Sequence, residues 1–206
     1  MHSVLIEMQK KLNITLPVNN SSLGDVKRYL ANIPPFLGGE KYLIFGGEFH
    51  SNVLEGKSRY DNIDDESKLQ IKYMTASLIK HPVYIKAMKG KPIIEKLIFG
   101  EVLGVSMRGT LDIHNRNTVY DLKTTSETSE KAFIRKALKI GYLRQSIVYK
   151  ALTGAEHFIF IGVCKKPPYP IFILDTQHYE KETKQQEKEL KFLLEVVKTI
   201  CNKESK

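Results

Sequence analysis

The stretch GTLDIHNRNTVYDLKTT, residues 109–125, holds the residues whose types and spacing could do chemistry: Asp112, Asp121 and Lys123. Asp121 and Lys123 are two apart, so on a β-strand they share one face and Leu122 takes the other. Centring a turn on Asn115-Arg116 pairs Ile113 with Thr118 and Asp112 with Val119, which brings Asp112 to that same face. Diagonal cross-strand neighbours lie roughly 7 Å apart, close enough for two carboxylates to share a hard cation. Two anions held together raise the energy unless a cation separates them, and Mg²⁺ meets that need while keeping waters for a substrate. The chemistry this suggests is metal-assisted attack of water on a phosphoryl group, with Lys123 orienting the water and offsetting charge on the phosphate. The bland alternative is a solvated hairpin with an Asp112–Lys123 ion pair at the surface. The apolar setting, with Gly109, Ile113, Leu122 and Thr124-Thr125 around the charges, weighs against it.

The elements that must position these residues follow from period and punctuation. Residues 92–123 alternate or run apolar in short segments (PIIEKLIFGEVL, VSMRGTLDI, TVYDLKT), a meander of about three strands. EHFIFIGVCKK and PIFILD, on either side of Pro167-Pro168, are two further strands. Before the meander the pattern is helical. A short helix over 19–32 takes Ser21 or Ser22 as N-cap and Asp25 in its first turn. IPPFLGG (33–39) reads as a loop, and a helix from Gly46-Gly47 carries Phe49, His50, Val53 and Leu54. A third helix runs from Asp64-Asp65-Glu66 to His81, where Pro82 interrupts it. Val4, Leu5, Met8 and Leu12 also recur at helical spacing.

After the meander, SEKAFIRKALKIGYLRQSIVYKALTG is helical, broken near Gly141 and closed by Gly154. Residues 178–203 form a long amphipathic helix with Leu190, Phe192, Leu193, Val196, Val197 and Ile200 towards the core. The fold class expected is α/β, a central mixed sheet flanked by helices. It forms one domain over 1–206: a mainly helical part (1–90), the sheet core with its helices (91–177) and the C-terminal helix (178–206).

Composition narrows the partners. Of 206 residues 42% are hydrophobic and 27% charged, which is globular rather than disordered. No apolar run approaches a membrane span and the start carries no cleavable signal pattern, so an intracellular, cytoplasmic protein with no membrane partner is expected. Cys164 and Cys201 form neither a metal spacing nor a disulfide framework. The net charge of +9 favours a polyanionic partner. Lys131, Arg135, Lys136, Lys139 and Arg144 are the cations best placed for phosphate contacts, or else a solvated face.

In order and spacing the chain resembles the PD-(D/E)xK nucleases. The similarity is to the RecB-like and lambda-exonuclease-like branch, with the RecE-type phage exonucleases and the mitochondrial genome maintenance exonuclease. GTLDI resembles that branch's G-x-x-D strand and VYDLKTT its D-x-K strand. GYLRQSIVY resembles the Y-x-x-Q helix through Tyr142 and Gln145. GGEFHSNVLEG resembles the G-x-x-x-H helix, and SSLGDVKRYLANIPPF the short S-x-S-x-L helix. Leu111 stands where the superfamily's name places proline, and the C-terminal third carries no motif of the branch.

The resemblance implies a restriction-endonuclease-like core in which His50, Asp112, Asp121 and the Leu122 backbone carbonyl hold the metal. Lys123 would be the catalytic lysine beside the acids Asp112, Asp121 and Glu95, with Glu101 competing for the place of Glu95. Tyr142, Gln145, Arg144 and Thr124 would contact substrate. It implies Mg²⁺, with Mn²⁺ substituting, and hydrolysis of DNA by in-line attack of water to leave a 5′-phosphate. It also implies an exonuclease acting from ends in recombination or repair, of phage origin, beside a recombinase or single-strand-binding protein. A structure- or sequence-specific endonuclease of the resolvase kind, and a non-catalytic DNA-binding scaffold, are the rival expectations.

Overall fold

The computed structural model describes residues 11–34, 40–58 and 63–201. The helical pattern at Val4, Leu5 and Met8 and the loop at Pro35–Gly39 lie outside the described residues.

Five strands form one sheet in the order β1-β2-β3-β4-β5: β1 Ile93–Val102, β2 Val105–Asn115, β3 Thr118–Thr125, β4 His157–Cys164 and β5 Ile171–Asp175. All neighbours run antiparallel except β3 and β4, which are parallel. The sheet is therefore mixed. Helices cover both faces. On one lie α1 (Asn20–Leu30), α5 (Glu130–Ile140), α6 (Tyr142–Thr153) and α7 (Glu180–Cys201); on the other lie α2 (Glu40–His50), α3 (Asp65–Leu78) and α4 (Pro82–Met88).

Alternation along the strands sorts side chains between two cores. Phe158 and Phe160 of β4 join Val148 and Tyr149 of α6, Phe133 and Leu194 on the α7 side. Ile161 and Val163 join Phe49, Met74 and Leu78 on the α3 side. Cys164 is a wholly buried free thiol, as its apolar run predicts.

Several boundaries differ from expectation. Asn19, not a serine, caps α1 by accepting the Ser22 N–H at 2.9 Å, and no acid occupies the first turn. α2 starts by Glu40 and runs through Gly46 and Gly47, since burial of Phe45 and Phe49 holds a helix that glycine alone weakens by about 1 kcal/mol per residue. Pro82 opens a helix rather than ending one: its missing N–H is no loss at a first turn, and His81 caps it. Phe192 of α7 is exposed, because it falls outside the buried stripe of Leu190, Leu193, Leu194, Val197 and Ile200. No helix among the described residues is long and apolar enough to cross a membrane.

Candidate active site

The site lies where β2 loses regular pairing on both edges. Towards β1, the ladder includes Ile94–Ile113 and Lys96–Leu111 but skips the residues between, Glu95 and Asp112. Glu95 sits at φ +47°, a region costly to a non-glycine residue. Leu111 packs in the core beneath α6 and α7 while Ile113 packs in the other. A regular strand would keep residues two apart on one face, so β2 switches faces across Asp112.

Towards β3, the ladder holds Asn115–Thr118, His114–Val119 and Ile113–Tyr120 and goes no further. The turn is Arg116-Asn117, with Arg116 at φ +54°, rather than Asn115-Arg116. Pairing is thereby shifted by two residues from the expected register. The ladder stops short of Asp112 and Asp121, which still lie close enough for the Asp112 charge to act on the Asp121 carboxyl.

Side chains occupy the gap that the ladder leaves. Asp112 Oδ2 accepts the Leu122 N–H at 2.6 Å, replacing a sheet hydrogen bond with a charge-assisted one. N–H and C=O of one strand residue leave by the same edge, so the Leu122 carbonyl opens on this gap too. Asp112 Oδ1 lies 3.3 Å from His50 Nδ1, and Glu95 Oε1 lies 3.9 Å from that nitrogen. His50 ends α2, fixed by its fully buried neighbour Phe49, and the helix widens into a π-turn over Ser51–Glu55 directly after it.

Burial opposes a charge on His50, but the Asp112 carboxylate and then Glu95 outweigh it and raise the imidazole to about 10. Burial likewise opposes the Asp112 charge, yet His50, Lys123 and the Leu122 N–H hold its carboxyl below the usual range.

The second half of the site is built on β3 and α6. Lys123 Nζ forms an ion pair with Asp121 Oδ2, and Gln145 Nε2 donates to Asp121 Oδ1 at 2.5 Å. Burial, with the Asp112 charge adding to it, raises the Asp121 carboxyl to about 6 although Lys123 opposes the shift. Burial opposes the Lys123 charge, but Asp121 more than offsets it, so the ammonium is held firmly protonated. The Lys123 ammonium lies 5.3 Å from the Tyr142 ring centroid and 5.8 Å from that of Phe160, two rings that stack with centroids 4.8 Å apart.

Tyr142, Gln145 and Tyr149 fall on one stripe of α6. Tyr149 lies directly on Gly109, where a Cβ has no room. That contact is the physical reason for glycine at the head of GTLDI.

An open cleft of about 510 Å³ leads to Lys123 and Gln145, walled by Leu97, Arg108 and Thr110 of the β1–β2 hairpin and by Asn19 and Ser21. The N-terminal segment reaches it because Val18 takes the edge of β2 that β3 has left: Val18 N–H donates to Ser106 O at 3.1 Å and Arg108 N–H to Val18 O at 2.8 Å. Arg108, Asn19 and Ser21 were not singled out by sequence. Their link to the acids is a strand pairing across some ninety residues, which no local pattern announces.

The structure thus gathers His50, Glu95, Asp112, Asp121, Lys123, Gln145 and Tyr142. Asp121 stands apart from the His50–Glu95–Asp112 trio, its oxygens engaged by Lys123 and Gln145. Arg144 is not with them: it is buried, with Nε 2.9 Å from Asn20 Oδ1 and Nη1 2.9 Å from Glu189 Oε1, and it ties α1 to α6 and α7. Thr124 alternates to the opposite face of β3 from Lys123. Glu101 is exposed at the far end of β1, across from Ser106.

Burying Asp112 and Asp121 and half-burying His50, Glu95 and Lys123 carries a desolvation cost that packing would not select over apolar residues. The donor chemistry fits a divalent cation. Ligand atoms of His50, Glu95 and Asp112 all lie within 4.8 Å of one another, offering one imidazole and two hard carboxylates.

Residues 37–206 match the family described as a PDDEXK-like domain of unknown function, DUF3799. No curated protein sequence matches the chain. Among solved structures, the chain is similar to a candidate exonuclease of Eubacterium rectale, at TM-score 0.60 and 17% identity over 85% of this chain and 74% of that one. It is also similar to a phage-related exonuclease of Haemophilus somnus 129PT, at TM-score 0.50 and 14% identity over 92% of this chain and 97% of that one. At such identities these likenesses establish the fold.

Proposed function

The chain belongs to the PDDEXK-like family DUF3799, and on that footing we propose that it is a metal-dependent deoxyribonuclease, an exonuclease hydrolysing phosphodiester bonds from DNA ends. One observation carries the reading: the His50–Glu95–Asp112 trio faces the Asp121–Lys123 pair across a gap opened in the sheet. His50, Glu95 and Asp112 would hold the cation, Mg²⁺ by the oxygen-rich donor set, with Asp121 and the Leu122 carbonyl bordering it. When bound, a divalent cation supplies neutralisation of phosphate charge and acidification of water.

The chain's own groups do the rest. Lys123, pinned on the Tyr142–Phe160 shelf, holds its ammonium beside Asp121, where it can orient water and offset charge on the phosphate. Gln145 fixes the Asp121 carboxylate in one orientation. Arg108 and Thr110 line the approach and suit phosphate contacts.

The exonuclease reading over the endonuclease one is supported by the likeness in fold to the candidate exonuclease of Eubacterium rectale and the phage-related exonuclease of Haemophilus somnus. A recombination or repair role, a phage source and cytoplasmic action beside a recombinase or single-strand-binding protein extend the same reading, as does a single domain across the whole chain. The test is incubation of end-labelled linear DNA and covalently closed circular DNA with the protein in Mg²⁺ or EDTA, beside Lys123→Ala. Loss of linear DNA alone, dependent on Mg²⁺ and Lys123, is the expected result. Cutting of the circle would reassign it as an endonuclease, and DNA binding without cleavage would leave a scaffold.

A further inference from the structure

The β1–β2 hairpin outside the acids has two unlike faces. Its turn is Leu103-Gly104, both at positive φ, closing on the pair Val102–Val105. Beyond the point where β3 departs, one face is buried: Met107 is inaccessible, Gly109 lies under Tyr149 and Gly100 under Leu152. The other face carries the pairs Leu97–Thr110, Phe99–Arg108 and Glu101–Ser106, all six residues exposed. Leu97 is 53% exposed and Phe99 58%. Solvent-facing strand positions ordinarily take polar residues, and an apolar pair on an edge strand invites pairing or aggregation, so this face is suited to an occupant.

Three features of the face specify that occupant. It runs into the cleft, since Leu97, Arg108 and Thr110 line the same opening as Lys123 and Gln145. It is amphipathic in the sense a nucleotide needs: Phe99 lies directly across from Arg108, offering a flat ring and a cation within one cross-strand spacing. Its carboxylate, Glu101, stands at the end remote from the cleft. An intact duplex shows its sides as phosphate and sugar and hides base faces in the stack, so Phe99 and Leu97 would have nothing apolar to meet. Unpaired bases each present a π-face, and stacking tolerates any sequence.

We infer that Leu97 and Phe99 form a stacking platform for unpaired bases, with Arg108 on the accompanying phosphate, and that the substrate enters as single-stranded DNA. The inference rests on the nuclease reading and narrows its substrate class.

Binding and cleavage are measured separately so that the two readings fail separately. Binding of fluorescein-labelled (dT)₁₂, a fully abasic 12-mer and a blunt 12-base-pair duplex is followed by anisotropy in EDTA for wild type, Phe99→Ala and Arg108→Ala. The wild type should bind (dT)₁₂ roughly ten-fold tighter than the abasic strand, which keeps the phosphates and lacks the bases. Phe99→Ala should remove that ratio, while Arg108→Ala weakens both strands alike and preserves it. Phe99 is exposed, so its truncation leaves the fold intact.

A ratio near one in the wild type, a ratio untouched by Phe99→Ala, or duplex bound as tightly as (dT)₁₂ would overturn the platform. So would a dimer that Phe99→Ala dissociates with the ratio unchanged, which would give the face to a second copy. Lys123-dependent cleavage with a ratio near one removes the platform and keeps the nuclease. A Phe99-dependent ratio with no cleavage in Mg²⁺ does the reverse.

Discussion

The two edges of β3 are built to opposite ends. Along one, all eight residues from Thr118 to Thr125 pair in parallel with β4, an unbroken ladder whose middle residues, Val119 to Leu122, are buried. Along the other, pairing with β2 stops after three residues, and carboxylates, an imidazole and an ammonium occupy the remainder. The intact edge spends its backbone groups on holding position. The broken edge leaves them and the side chains free for chemistry, with strain at Glu95 and buried charge as the cost. Rigidity on one side is what lets charged groups stay fixed on the other.

Substitutions on the two edges should therefore separate activity from stability. Asp112→Asn, on the broken edge, should lower cleavage by about 10³-fold or more and abolish divalent-metal binding seen by calorimetry. Near-normal turnover would remove Asp112 from the site. Ile161→Ala, on the intact edge, should cost about 3 kcal/mol in urea unfolding with activity per folded molecule unchanged. Gly109→Val drives a side chain into the Tyr149 ring and should cost about 2 kcal/mol, moving the α6 stripe and activity with it. Stability unaltered there would mean that α6 does not bear on β2 as described.

Gln145→Leu leaves Asp121 Oδ1 without its donor and should lower kcat about ten-fold, or about 1.4 kcal/mol, with KM little altered. A change in KM alone would make Gln145 a binding group instead. The most gradual effect is pH-dependent. His50 is raised from 6.5 to about 10 on folding, so the metal-free protein keeps a proton that the unfolded chain releases. Its contribution is fully present below about pH 6.5 and is lost as pH rises towards 10, with a slope of at most about 1.4 kcal/mol per pH unit. Asp121, at about 6, titrates below that window. Asp112→Asn should flatten the slope, and a slope indifferent to that substitution would place the proton elsewhere.

Much of this was legible in the chain. The alternation of VYDLKTT, the glycine breaks at 141 and 154 and the apolar stripe of α7 follow from local periodicity, which each segment satisfies almost alone. Turn position was less legible, because NRN offers more than one two-residue turn and period-2 patterning cannot distinguish registers two apart. Helix starts were misplaced where tertiary burial outweighed propensity, as at Gly46-Gly47. Arg144 looked like a free cation because its partners Asn20 and Glu189 lie far away in sequence.

By itself the sequence determined which residues could do chemistry and which faces they share: Asp112, Asp121 and Lys123 on paired strands, Tyr142 and Gln145 one turn apart on a helix. These are consequences of backbone geometry, which acts over a few residues. The tertiary structure alone decided that Glu95 and not Glu101 joins His50 and Asp112, that Asp121 turns to Lys123 and Gln145, and that Val18 takes over the vacated edge of β2. Those outcomes depend on where ladders end. A ladder ends where packing of two cores and the hydration cost of buried charge balance across the whole sheet, and no short stretch of chain carries that balance.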